Sequence, residues 1–183
     1  MLIFSGIGFL MAVSIISSLS TIPVVFPNIM ANTGTLIVKI TDAPVELSNL
    51  FLTIDSIEVQ DESGDWTPLA LVSSGDEDLH FDLLQFESTT MDAAIAELEA
   101  GEYNSIRMSV KSAFARFIDS DVDIPLRVPS EKIKVLVKFT IEEGEYTTVI
   151  LDIQVDSTEM SMAIANNAEN NLRPVVIATV IDS

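Results

Sequence analysis

The sequence contains no cysteine. That excludes disulfides, thiol catalysis, iron–sulfur clusters, zinc thiolate sites and lipid attachment through a thiol. The fold must therefore be held by core packing alone. There is one histidine, His80, so a Ser-His-Asp triad would have to use it. It stands among apolar residues in LHFDLL, where a plain strand histidine is expected. The chain has no Gly-x-Ser-x-Gly elbow, no His-Glu-x-x-His and no phosphate loop. Two of its 28 acids could form a glycosidase pair, but nothing singles out two of them. These gaps point away from an enzyme. Positive charge is scarce as well, with nine Lys and Arg against 28 Asp and Glu, a net charge of −19. The nine are scattered, whereas phosphate binding needs a basic patch, so nucleic acid is not an expected partner. An acidic surface suits solubility, high salt or cation binding.

Charge of either sign is missing from the first 38 residues; Lys39 is the first charged side chain. MLIFSGIGFLMAVSIISSLS is an apolar run with small residues, followed by Pro23, Pro27 and small residues near Ala31. Residues 1–31 therefore read as a signal peptide or membrane anchor, and residues 32–183 as one domain. The expected location is outside the cytoplasm, secreted or anchored to the outer face of the membrane, with membrane contact only through the N-terminal segment. Nine of the twelve aromatic residues are Phe, which favours core. Trp66 and Phe117 remain as candidate platforms for a carbohydrate.

Most of the remaining chain alternates with period two. Thr35–Thr41, Leu50–Gln60, Trp66–Leu71, Thr147–Val155 and Leu172–Ile181 read as strands. Leu50–Gln60 slips phase between Ile54 and Ile57, which predicts a bulge. Pro68 places Trp66–Leu71 at an edge, and Gly64 in DESGD supplies a left-handed turn position. Lys132–Ile141 alternates most cleanly, with Ile133, Val135, Val137, Phe139 and Ile141 on one face and Lys132, Lys134 and Lys138 on the other. Those lysines read as a solvated sheet face. Only Thr89–Ala100 changes period: a capping threonine, good helix formers and Gly101 as a C-terminal glycine predict one short helix. The pattern predicts a mainly β protein, an antiparallel β-sandwich of about eight or nine strands with one short helix.

One phrase occurs twice. LEAGEYNSIRMSV (Leu98–Val110) and IEEGEYTTVILDI (Ile141–Ile153) each contain Glu-x-Gly-Glu-Tyr before a strand. Gly101 and Gly144 are expected to make tight turns. Tyr103 and Tyr146, the only tyrosines, are expected to pack at the sandwich end with their hydroxyls bonded back to the main chain. The role predicted for all four is structural.

The ordered set GTLIVKITDAP, LTIDSIEVQ, FDLLQF, LEAGEYNSIRMSV, IPLRVPSEKIKV, IEEGEYTTVILDI and LRPVVIATV, spanning Gly34 to Val180, resembles domain-of-unknown-function family 4382. That family occurs in exported proteins of archaea and bacteria. The resemblance implies a β-sandwich outside the cytoplasm and brings no catalytic or binding residues with it.

Of the acidic loops, DSDVD is the best calcium candidate: Asp119, Asp121 and Asp123 alternate in an expected hairpin loop and could converge on a hard cation. Asp61–Asp65 and Asp76–Asp78 qualify by composition only, and no cofactor other than calcium is suggested. The expected function is an exported, non-catalytic cell-surface or secreted module. It would be structural, adhesive or assembly-forming, with extracellular partners or copies of itself. Thr35–Thr41 could add to a neighbour's sheet if it is unpaired in its own. The alternative is an extracellular module that binds carbohydrate or calcium.

Overall fold

The computed structural model describes residues 32–42, 47–73, 78–118, 120–128, 132–156 and 171–182. The segment read as a leader, residues 1–31, lies outside them. The strands are β1 (Thr33–Asp42), β2 (Asn49–Asp61), β3 (Trp66–Pro68), β4 (Ala70–Leu71), β5 (Leu79–Asp82), β6 (Met91–Glu99), β7 (Gly101–Arg116), β8 (Ile124–Leu126), β9 (Lys132–Ile141), β10 (Tyr146–Gln154) and β11 (Val175–Asp182). A 3₁₀ turn at Leu83–Phe86 is the helix assigned among the described residues. One sheet runs β11-β10-β1-β6-β4; the other runs β3-β2-β7-β8, with β5 on β2 and β9 on β7. All pairs are antiparallel except β1 with β10.

The core forms where the alternating faces meet. Leu36, Val38 and Ile40 of β1, Val149, Leu151 and Ile153 of β10, and Leu50, Leu52, Ile54, Ile57 and Val59 of β2 are buried together. The phase slip in β2 is a bulge: the register against β7 shifts around Asp55, which lets Ile54 and Ile57 both point inward. Pro68 ends β3 at the edge of its sheet. The chain then crosses to the other sheet through buried Leu69, whose N–H bonds Ile57 O at 2.9 Å.

The expected helix is corrected. Its centre is strand β6, paired with β1 along most of its length and with β4 on its other edge. Ala94, Ala96 and Leu98 turn toward the core, while Ile95, Glu97 and Glu99 turn outward. A bulge beside Val38 and Lys39 then brings Ala93 inward too. Two neighbouring strands with open edges outweigh the small intrinsic helix preference of Ala, Glu and Leu. Gly101 consequently caps no helix; it begins β7.

Strand β1 lies between β10 and β6 in its own sheet. The condition for its donation to a neighbour is therefore not met.

Candidate functional site

The repeated phrase marks two corners at one end of the sandwich. At Ala100 the chain leaves β6 in one sheet and enters β7 in the other; at 142–145 it leaves β9 and enters β10. The start of β1 is stitched to both. Ala100 N–H donates to Asn32 O at 2.7 Å, Gly144 N–H to Thr33 O at 2.9 Å, and Thr35 N–H to Glu145 O at 2.9 Å. The two copies then diverge. Tyr103 is buried, stacks on Phe139 with centroids 5.4 Å apart, and donates its hydroxyl to Glu99 O at 3.0 Å. Burial, with Asp61 and Glu99 nearby, pushes its phenol pKa up. Tyr146 is instead 59 % exposed and does not pack into the core. Gly144 has φ +75°, in the left-handed region that favours glycine. Gly101 has no such φ, and open space surrounds the position of a Cβ, so its expected need for glycine is not seen.

The acidic loops are dispersed. Asp119 lies outside the described residues. Asp121 is exposed, and Asp123 is bound by Arg116 at 2.8 Å. Asp61 holds a turn by accepting Asp65 N–H at 3.0 Å, with Gly64 at φ +92°; Asp78 pairs with Lys111. Among the described residues no three His, Asp or Glu side chains stand close enough to hold a metal together. Buried Asp82, which the sequence did not single out, caps the 3₁₀ turn by accepting Leu84 N–H and ties it to β2 through Leu50 N–H and the Asn49 amide.

His80 is exposed on β5. Its Nδ1 is 3.0 Å from Thr53 Oγ1, and its ring stacks on Phe51 with centroids 6.2 Å apart. Ser112 Oγ donates to the same Thr53 oxygen at 3.0 Å. A hydroxyl–imidazole contact is part of a nucleophile constellation, but among the described residues no carboxylate hydrogen-bonds the ring. Phe117, a candidate platform, packs against the core.

The densest polar construction is the outer face of the β2–β7–β9 sheet. The register sets Glu58 opposite Arg107, and Arg107 opposite Lys134. Arg107 grips Glu58 with two bonds, Nε to Oε2 at 2.6 Å and Nη2 to Oε1 at 2.7 Å, and Lys132 reaches the same carboxylate at 3.3 Å. The bidentate bond to Arg107 holds the Glu58 carboxyl below the usual range despite its partial burial. Arg107 also lies 3.9 Å over the Trp66 ring, with Lys134 Nζ 5.1 Å from it. The ring therefore serves the protein's own cations, which leaves it poorly placed as a sugar platform. Lys134 bonds Gln60 Oε1 at 3.1 Å, and Leu136 between Lys134 and Lys138 is 78 % exposed.

Among the described residues no helix is long and apolar enough to cross a membrane. The solved structure of MbnP from Methylosinus trichosporium is similar at 11% sequence identity and a TM-score of 0.31, over 66% of this chain and 75% of that one. A comparison with curated proteins finds no match. The family model described as Domain of unknown function (DUF4382) matches residues 33–174, and the chain belongs to that family.

Proposed function

We propose that this is an exported, non-catalytic module of the cell surface or the surrounding medium, which acts by contact as a structural, adhesive or assembly-forming element. The observation that carries the reading is the outer strand of the five-stranded sheet. Among the described residues β11 pairs with β10 on one side and ends the sheet order. Its residues 175–181, VVIATVI, contain no charge, and Val175, Ile177 and Ile181 are 62 %, 48 % and 48 % exposed. Edge strands are normally blunted with lysine, proline or a bulge, and apolar surface left open on a sheet edge suits a partner. The charge-free run of residues 1–38 supports export.

Fractionation of the native host tests the reading. It requires the protein in the envelope or the medium; recovery with cytosolic enzymes would sink it.

A further inference from the structure

A second surface goes beyond the apolar edge. Four of the nine basic residues, Arg107, Lys132, Lys134 and Lys138, share the outer face of β7 and β9. Among the described residues the carboxylate in ion-pair reach of them is Glu58. Ion pairing leaves three of these four charges unmatched on a chain of net charge −19, with Glu102 standing on the same face opposite Thr140. Beside it runs a groove of about 360 Å³, lined by Lys134, Lys138, Leu136, Gln60 and Asn104. At the end of β9 the turn Glu142-Glu143-Gly144-Glu145 carries three exposed carboxylates, followed by Tyr146 with most of its side chain in solvent.

We propose that the acidic 142–145 turn of one copy docks on the Lys132, Lys134 and Lys138 face of the next. Three carboxylates would meet three lysines. Lys134 and Lys138 stand roughly 13 Å apart along an extended strand, far enough to straddle a turn, and Leu136 between them offers an apolar seat for Tyr146. Each exposed ion pair alone is weak, so the contact depends on the set acting together. Turn and face adjoin in one molecule, since Lys138 shares a cavity with Glu142, Glu145 and Tyr146, so two copies can exchange the contact as a reciprocal pair or pass it on head to tail. This deepens the contact reading and rests on it, but the two fail separately: fractionation reads export, and sedimentation of purified protein reads assembly.

Sedimentation velocity at about 0.1 M and about 1 M salt is the test. At the lower value screening over about 10 Å suppresses repulsion between whole molecules but spares touching charges; at the higher, about 3 Å, the contact itself is screened. The mean mass should rise with concentration at 0.1 M and return to that of the monomer at 1 M. The variants Glu142→Lys/Glu143→Lys/Glu145→Lys and Lys132→Glu/Lys134→Glu/Lys138→Glu should each associate at least tenfold more weakly. Mixed in equal amounts, they should associate again, because the acidic turn of one meets the lysine face of the other and the reversed turn meets the reversed face. That rescue also guards against misfolding, since two damaged folds cannot restore a shared contact. A monomer at both salt concentrations, variants that assemble like the wild type, or a mixture that forms no pairs would overturn the proposal. Assembly that strengthens at 1 M would assign the contact to the apolar β11 edge and overturn it as well.

Discussion

Gly34 sits directly under the carbonyl of Glu142: a Cβ at residue 34 would stand 2.2 Å from that oxygen and 2.9 Å from Ile141 Cγ2. The obstacle is main chain in a turn that is itself bonded to Thr33 and Thr35, so it cannot swing aside as a flexible side chain could. Gly34→Ala should therefore cost about 2 kcal/mol or more of stability, in the range of overpacked cores. Denaturant unfolding measures it, and an unchanged midpoint would mean that β1 is not clamped at this corner.

The two tyrosines should answer differently to loss of a hydroxyl. Tyr103→Phe removes the bond to Glu99 O and leaves that carbonyl without it, at a cost of about 1 kcal/mol. Tyr146→Phe changes an exposed side chain and should stay within about 0.5 kcal/mol. Equal losses in the two variants would contradict the division of roles between the copies.

Glu58 makes stability depend on pH. Its folded pKa is lowered, first by the hydrogen bond from Arg107, so its contribution is fully present above the unfolded pKa and is lost as pH falls through the folded one. Glu58→Gln should be less stable than wild type at pH 7 by about 1 kcal/mol, the scale of a well-aligned bidentate pair at a surface. The gap should close as the medium is acidified below the ordinary carboxylate range. A gap that stays constant from pH 7 to strong acid would contradict this assignment.

Legibility in the sequence followed the range of the interactions. Where β-branched residues alternate, as in Lys132–Ile141, the strand and its inward face could be read directly, because one face decides the pattern. β6 misled for a local reason. Its alanines and glutamates favour helix, and buried Ala94 and Leu98 lie four apart, as on one helix face; Ala96, also turned toward the core between them, is the residue that fits only a strand. Gly34 gave no signal, since its need for glycine comes from a turn more than a hundred positions away. The lysines of β9 were visible as an alternating set. The Glu58–Arg107 clamp that joins them was not, because it spans 49 positions and forms only once β2 and β7 are in register.

Export and contact can be read together in one labelling experiment on the native host, since the chain has no cysteine of its own. Val122, 65 % exposed, and Ile177 on the apolar edge are each replaced by cysteine and treated with a membrane-impermeant maleimide. Val122→Cys should react on intact cells while Ile177→Cys is shielded there, although both react in dilute purified protein. Reaction of either only after the cells are broken would contradict export, and equal reaction of the two on intact cells would contradict the contact assigned to β11.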